Sequence, residues 1–156
     1  MASAMPHSAA LARAAASPFV TAAVVRCMLM APGFALDRQA HNTVADVLAS
    51  ELPGNSGYAA GFGNAGHKAV DGRAAVLLPG STATDGAAAE VFNPVGYSPF
   101  PAGVAVGSAL FYVPGASAAA SPILGVIDPD DLLTTTDGFL VSSSTGLTKF
   151  RNKAPA

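Results

Sequence analysis

Charged side chains are scarce in this chain of 156 residues: Asp, Glu, Lys and Arg make up 12%, against a usual share of about 25%. Hydrophobic residues make up 51%. So few charges are typical of a protein whose surface is covered by partner molecules, although exposed alanine also raises the hydrophobic count. The net charge of −2 gives no general attraction for nucleic acid or for an anionic membrane, and neither is predicted as a partner.

Cysteine is nearly absent, and tryptophan is absent altogether. The single cysteine, Cys27, excludes a disulfide within the chain. It lies in the apolar stretch VVRCMLM, which predicts a small buried hydrophobic side chain rather than a reactive thiol. No uninterrupted apolar run reaches the roughly 20 residues of a membrane span. Arg26 divides the longest apolar stretch near the N-terminus, so neither a targeting signal nor a transmembrane helix is predicted.

The few charges are unevenly distributed along the chain. Residues 1–36 contain two arginines and no acid, residues 37–148 contain all ten acids and three bases, and the last eight residues contain three bases. Both ends are therefore basic around an acidic body. Such ends either dock on acidic neighbours or remain solvated tails.

The sequence predicts three parts: an N-terminal arm at 1–18, a β-rich domain at 19–150 and a C-terminal tail at 151–156. The first arm is rich in alanine and is expected to be extended or weakly helical. Ordering a residue's backbone costs about 1–2 kcal/mol, and alanine buries little apolar area to offset it. We therefore expect residues 1–18 and 149–156 to contact other subunits rather than their own domain.

The segment 19–31, FVTAAVVRCMLMA, predicts the first strand. Successive side chains of a strand point to opposite faces. Met28 and Met30 would then face one side, and Cys27 and Leu29 the other. Because both faces are apolar, the pattern favours a central strand.

One helix is predicted, between Asp37 and Leu52. Apolar residues recur there at three- and four-residue spacing. Asp37 would cap its start, and Pro53-Gly54 would end it. The recurring apolar residues are Ala40, Val44, Val47, Leu48 and Leu52.

The remainder of the chain alternates short apolar runs with turn residues. Asp71-Gly72 lies between two such runs, which predicts a β-hairpin. Further strands are predicted within AAEVFN, VAVGSALFYV, PILGVID and GFLVSSSTG. Short strands separated by Gly- and Pro-rich turns predict an all-β fold, a single sandwich or small barrel with one short α-helix and extended terminal arms.

The three histidines, His7, His41 and His67, show no metal-ligand spacing. His41 is expected to cap or pack against the helix start. His67 lies in a Gly-rich turn and is expected to be exposed.

Two further stretches resemble ligand sites only superficially. GFGNAG at 61–66 lacks the Lys-Ser/Thr of a P-loop and precedes a predicted hairpin rather than a helix. Asp128, Asp130 and Asp131 lack the alternating acids, central glycine and distal glutamate of a calcium loop, so they indicate an Asp-Pro turn. No catalytic, cofactor-binding or metal-binding residue is predicted, and the chain is not expected to be an enzyme.

One stretch nevertheless carries a recognisable pattern, HNTVADVLASELPGNSGYAAG at 41–61. Its His41, Ala45-Asp46-Val47, Glu51, Gly57-Tyr58 and Gly61 resemble a family of small tailed-phage virion proteins. The resemblance continues in ALFYV at 109–113, SPILGVIDP at 121–129 and DGFLVSSSTGLTKF at 137–150, and covers roughly residues 20–150.

The resemblance implies a structural protein located in the virion, with no catalytic residue to carry over. A capsid decoration (cement) protein is the first expectation, bound to the capsid surface with the major capsid protein and copies of itself as partners. A neck, tail or fibre-base component is the alternative. A virion-associated carbohydrate-binding module or small hydrolase is the second alternative.

Overall fold

A computed structural model describes residues 7–78, 87–101, 103–127, 132–135, 138–141 and 149–151. Three short α-helices occur there: α1 (His7–Ala15), α2 (Pro18–Thr21) and α3 (Val44–Val47). The strands are β1 (Arg26–Met30), β2 (Lys68–Ala69), β3 (Ala74–Leu77), β4 (Ala87–Val91), β5 (Val95–Tyr97), β6 (Ser108–Tyr112), β7 (Ile123–Ile127), β8 (Leu132–Thr135), β9 (Gly138–Val141) and β10 (Lys149–Arg151). The predicted all-β class is confirmed.

The strands form three antiparallel sheets with the orders β2-β1-β6-β7, β10-β4-β3 and β5-β9-β8. In the first sheet, Met28 pairs with Leu110 and Met30 pairs with Ser108. Strand β1 therefore lies between two neighbours, as predicted for a central strand. Its apolar composition follows from this position, because both of its faces are covered.

The two faces of β1 and β6 pack into different core clusters. Cys27 and Leu29 belong to one cluster, together with Phe111 of β6. Met28 and Met30 belong to the other. The predicted alternation of β1 is confirmed, and this sheet forms the centre of the described fold.

The predicted helix at 37–52 is much shorter in the structure. Helix α3 covers only Val44–Val47 and continues as a 3₁₀ turn at Leu48–Ser50. The side chain of Asp46 accepts hydrogen bonds from the N–H groups of Asn42 and Thr43, at 3.0 and 2.8 Å. This capping box fixes the helix start at Val44, because Thr43 has an extended backbone.

The predicted hairpin at Asp71-Gly72 is wrong. Strand β2 pairs with β1, whereas β3 pairs with β4, so the turn carries the chain from one sheet to another. Arg73 fixes this crossing by donating to the carbonyl oxygens of Val70 and Phe19, at 3.0 and 2.6 Å. Gly72 has a φ of +63°, a conformation that most other residues adopt only with strain.

The chain ends also differ from the expected arms. Residues 7–15 form helix α1, which packs on β3 and β4 of the same chain. Ala14 is fully buried there in a small cluster with Ala88 and the partly buried Ala75. Alanine favours helix formation, and its small side chain lets the helix lie close to the sheet. At the other end, β10 pairs with β4; residues 1–6 and 152–156 lie outside the described residues.

Candidate functional site

The most connected polar group in the described structure surrounds the carboxylate of Glu51. Its Oε1 lies 2.7 Å from Nε2 of His67 and accepts a 2.7 Å hydrogen bond from the hydroxyl of Tyr58. The N–H of Gly61 lies 3.1 and 3.0 Å from the two carboxylate oxygens. On the other side of the imidazole, Nδ1 of His67 lies 2.6 Å from the hydroxyl of Tyr112. We call Glu51, Tyr58, His67 and Tyr112 the Glu51 network.

Glu51 reaches this position because the chain runs beside the end of β1 after the 3₁₀ turn. The N–H of Leu52 donates to the carbonyl of Leu29 at 2.9 Å, and the N–H of Ala31 donates to the carbonyl of Ser50 at 2.9 Å. These two bonds hold Glu51 against Met30. The carboxylate is thereby fixed at the edge of the central sheet.

Tyr58 is placed by a tight turn that begins at Asn55. The Asn55 N–H donates to the Tyr58 carbonyl at 2.9 Å, and the Asn55 side-chain oxygen accepts from the Gly57 N–H at 2.9 Å. The hydroxyl of Tyr58 also accepts a 3.1 Å hydrogen bond from the N–H of Leu29. Tyr58 therefore connects the turn, the carboxylate and β1.

His67 directly precedes β2, and Tyr112 ends β6. The guanidinium of Arg26 donates to the His67 carbonyl at 2.8 Å, and Arg26 is the cross-strand partner of Tyr112. The ring of Phe62 lies edge-on to that of His67, with the ring centres 6.3 Å apart, and also contacts the ring of Tyr112 at 6.2 Å. The imidazole is thus held by hydrogen bonds at both of its nitrogens and by aromatic contacts of its ring.

The hydrogen-bond pattern indicates the protonation of the network. An ionised carboxylate accepts hydrogen bonds only, so Nε2 of His67 donates to Oε1 of Glu51. When the imidazole is neutral, Nδ1 is the acceptor for the hydroxyl of Tyr112. Three donors converge on Glu51, from His67, Tyr58 and Gly61.

These contacts shift the acidities of the network. Burial alone would raise the pKa of Glu51, but hydrogen bonds from His67, Tyr58 and Gly61 outweigh it and lower that pKa. Burial raises the pKa of Tyr112 to about 12, although the charge of Arg26 acts in the opposite direction. Burial, followed by the hydrogen bond to Glu51, also raises the pKa of Tyr58. Glu51 is therefore ionised and both tyrosines are neutral near pH 7.

A hydroxyl, an imidazole and a carboxylate in this order resemble a nucleophilic triad in their connectivity. A triad also needs a nucleophile that a substrate can reach. Tyr58, His67 and Tyr112 are each 1% exposed, and the Glu51 side chain is 6% exposed. The arrangement therefore keeps the ionised carboxylate of Glu51, together with the hydrogen-bond donors around it, buried inside the fold.

A groove of about 270 Å³ lies beside the network and shares Tyr58 with it. It is lined by Asn55, Ser56, Gly57, Tyr58, Ala59, Ala65, Gly66 and Lys68. The Lys68 ammonium donates to the Gly96 carbonyl and lies 4.7 Å from the centre of the Tyr97 ring. Small side chains and backbone form most of the lining, so the groove offers little apolar surface to a ligand.

The structure separates the three histidines. His41 accepts a hydrogen bond from the N–H of Asp37 at 3.1 Å and stacks on Phe34, so it packs as expected but does not cap the helix, whose start is capped by Thr43 and Asp46. His67 was expected to be exposed, and this is wrong. The turn folds back onto the sheet, where Glu51 and Tyr112 satisfy both imidazole nitrogens. His7 begins helix α1.

The other candidates of the sequence fall in different places. Cys27 is fully buried, and burial raises the pKa of its thiol to about 12, as expected for an inert residue. The Gly61 N–H of the GFGNAG stretch is occupied by the chain's own Glu51. Asp128, Asp130 and Asp131 lie outside the described residues. Within the described ranges, no cluster of three or more His, Cys, Asp or Glu side chains could hold a metal ion.

Sequence reasoning did not predict the Glu51 network. Glu51, Tyr58 and Gly61 were noticed only as part of the family resemblance. Nothing in the sequence near His67 or Tyr112 indicated that they interact. His67 lies 16 residues from Glu51 and 45 residues from Tyr112 along the chain. A paired Glu and His near two tyrosines becomes visible only when the strands have been placed.

Comparisons with models of known protein families, with curated proteins and with solved structures gave no match. In the part of the chain that the structure describes, no helix has the length and apolar character needed to cross a bilayer.

Proposed function

We propose that this chain is a structural protein of a tailed-phage virion, and that it decorates the outer surface of the capsid. Its partner in this role is the lattice of the major capsid protein. The proposal begins from the sequence resemblance and gains support from three features of the described structure.

The observation that carries the proposal is the contact between three residues of the resembling stretch. Glu51, Tyr58 and Gly61 are separated by up to 10 residues, and the carboxylate of Glu51 binds the other two directly. Their spacing therefore has one physical cause: the carboxylate of Glu51 holds the turns that follow α3 in place. A pattern with one structural cause supports a relationship between folds more strongly than scattered identities do.

The second feature is the burial of a polar pair, Glu51 and His67, in the interior of the domain. Glu51 and His67 satisfy each other inside the fold, and burial closes them to solvent. Buried polar groups that are fully hydrogen-bonded rigidify a structure. A rigid domain of this kind suits a subunit that reinforces a shell.

The third feature is the low charge of the surface. Val24, Val76 and Leu77 are large hydrophobic side chains with 44%, 38% and 37% of their area exposed. Exposed apolar side chains on a chain with 12% charged residues favour a protein that works against neighbouring molecules.

The test is the location and copy number of the chain in purified virions of its phage. Quantitative mass spectrometry should give a copy number comparable to that of the major capsid protein, and an image reconstruction should place the density on the capsid surface. Tail-less heads should retain the same number of copies. A few copies per virion, lost with the tail, would favour the neck or tail alternative, and absence from the virion would refute the proposal.

A binding experiment makes the same test with isolated components. Heads that lack the chain are mixed with the purified protein and separated by sedimentation. The expected result is saturable binding with a fixed ratio to the major capsid protein. Isolated tails serve as the matched control, and binding to tails instead of heads would contradict a decoration role.

A further inference from the structure

Helix α1 covers a carboxyl group of its own chain. The helix packs on β3 and β4, where Ala14 forms a cluster with Ala88 and Ala75. Glu90 lies two residues beyond Ala88 on β4 and directly opposite Ala75 of β3. Side chains two residues apart on one strand, or directly opposite each other on paired strands, share one face of a sheet. Glu90 therefore belongs to the sheet face that α1 covers.

The carboxyl group of Glu90 lacks the partners that a buried polar group normally has. Glu90 is 2% exposed, and within the described ranges neither a hydrogen bond nor an ion pair satisfies its buried Oε2. The carboxylate of Glu51, by contrast, accepts hydrogen bonds from three donors. A buried polar group without a partner has lost the hydrogen bonds that it makes in water, which costs free energy. The burial of Glu90 therefore opposes the docking of α1.

The basic residues of the surrounding elements do not compensate Glu90. Arg13 of α1 is exposed. The guanidinium of Arg73, which precedes β3, donates to three backbone carbonyl oxygens. In β10, Lys149 and Arg151 lie in register with the neighbours of Glu90 on β4 rather than with Glu90 itself.

The apolar contact of α1 offers little to offset this cost. Among residues 11–16, only Ala14 is buried and Leu11 is partly buried. An alanine side chain removes little apolar area from water. Ser17, which follows the helix, adds a second buried oxygen, its Oγ, that finds no hydrogen-bond partner in the described structure. The docking of α1 thus combines a small apolar area with two unsatisfied polar atoms.

Helix α2, only three residues further on, is anchored much more firmly. Phe19 is 2% exposed, and its ring packs edge-on against those of Phe92 and Phe111, each with ring centres 5.9 Å apart. The carbonyl of Phe19 also accepts a 2.6 Å hydrogen bond from Arg73. Ser17 separates the two helices with an extended backbone. A weakly held helix and a firmly held one therefore meet at Ser17.

We propose that α1 is a releasable cover, which leaves β3 and β4 by movement about Ser17 while α2 and the sheets stay folded. Release gives the carboxyl group of Glu90 access to water. A helix of nine residues is shorter than the roughly 12–15 residues that an isolated helix needs in water, so the released segment unwinds. The open state makes this segment and the uncovered sheet face available for contacts with other molecules. The inference concerns the isolated chain and does not depend on the proposed function.

The first experiment is native-state hydrogen exchange of the full chain, followed residue by residue by NMR. The amides of α1 should exchange at least about tenfold faster than those of β1, because they open without global unfolding. Low concentrations of urea should hardly change the α1 rates, since local opening exposes little surface. The amide of Ala22, which donates to the Pro18 carbonyl of α2 at 3.0 Å, should remain protected with the sheets.

The second experiment removes the unsatisfied groups. Glu90→Met keeps an unbranched side chain of similar length without the carboxyl oxygens, and it should slow the exchange of α1 by about tenfold relative to β1. Val91→Met is the matched control, because Val91 is the next residue of the same strand and faces away from α1; it should leave the α1 rates unchanged. Ser17→Ala removes the second unpaired oxygen and no side-chain cap, so it should also slow the exchange of α1.

Each outcome decides the proposal. Exchange of α1 at the rate of β1 in the wild type overturns the releasable cover. Exchange of Ala22 together with α1 overturns the hinge at Ser17. Unchanged or faster α1 exchange in folded Glu90→Met overturns the role of Glu90, and if this variant does not fold, Ser17→Ala decides in the same way. Slower α1 exchange in Glu90→Met, with Val91→Met like the wild type, supports the proposal.

Discussion

Nε2 of His67 lies 2.7 Å from Oε1 of Glu51, and the two residues are the only acid–base pair in contact among the described side chains. Both are screened from water, and each has a further partner in a tyrosine hydroxyl. A charge-assisted hydrogen bond in such surroundings is stronger than one at the surface, but removing one partner leaves the other buried without compensation. The pair is therefore a sensitive point of the fold.

The first prediction concerns the coupling of this pair. Glu51→Gln and His67→Gln should each lower the free energy of unfolding by about 1–3 kcal/mol, because each leaves a buried polar atom unpaired. Together they should show a coupling energy of about 0.5–3 kcal/mol in chemical denaturation. Glu51→Gln combined with His41→Gln is the control, since His41 shares no hydrogen-bond partner with Glu51. Additive effects in the first cycle would show that the pair contributes nothing specific.

The second prediction is the acid sensitivity of the fold. The pKa of Glu51 is lower in the folded chain than its ordinary value of 4.5. The unfolded chain therefore binds a proton at Glu51 before the folded chain does, and stability falls as the pH decreases through this range. The contribution is complete above about pH 5 and is lost progressively below it.

Thermal unfolding of wild type and Glu51→Gln between pH 7 and pH 3 measures this effect. The wild type should be the more stable protein at pH 7, and its advantage should shrink as the pH falls below 4.5. An advantage that is independent of pH would mean that the charge of Glu51 is not what the network stabilises.

The third prediction uses two glycines in the junction that the network holds. A Cβ atom at Gly57 would lie 2.0 Å from the carbonyl oxygen of Pro99, whereas at Gly54 the nearest atom would be 3.6 Å away. Gly57→Ala should therefore be strongly destabilising, since backbone atoms must move. Gly54→Ala should be neutral or slightly stabilising, by up to about 1 kcal/mol, because alanine restricts the unfolded chain. Equal melting temperatures for the two variants would contradict the close approach of this turn to residues 99–100.

The fourth prediction concerns Cys27. Its thiol is fully buried, and its pKa is raised to about 12 by burial, so it lacks both access and thiolate character. Iodoacetamide at pH 8 should leave the native protein unmodified and should label it after unfolding in urea. Ser56→Cys, at an exposed position of the same chain, should be labelled rapidly without urea. Rapid labelling of native Cys27 would show that β1 opens locally.

Some elements were predicted from the sequence better than others. The difference depends on how far apart along the chain the contacting residues lie. The alternation of Met28 and Met30 with Cys27 and Leu29 reports directly on two buried faces, so β1 was found. Its predicted start at residue 19 was wrong, because residues 18–21 form helix α2 and the strand begins at Arg26. The helix was predicted too long, because its apolar spacing ignored the capping box that Thr43 and Asp46 form. Local competition for backbone N–H groups thus overrode the periodic pattern.

Other features depended on contacts between distant residues. Asp71-Gly72 has the composition of a hairpin turn, but Arg73 binds the Phe19 carbonyl, 54 residues away, and the flanking strands join different sheets. His67 lies in a glycine-rich stretch that suggested exposure, and only the arrival of Tyr112 from β6 explains its burial. A pattern read over a short stretch of sequence includes neither the contact of Arg73 with Phe19 nor that of His67 with Tyr112.

The last prediction tests the position of the N-terminal helix, where the structure departs most from the expected arm. Ala14 is fully buried against Ala88, and the adjacent Ala15 is exposed. A lysine at either position has nearly the same helix propensity, but at position 14 its charge would enter the contact with the sheet. Ala14→Lys should therefore release α1, with faster proteolysis between residues 7 and 21 and a lower free energy of unfolding. Ala15→Lys should behave as wild type in both measurements. If both variants keep wild-type protection, α1 does not depend on its own sheet, and the original expectation of an arm that contacts other subunits regains its basis.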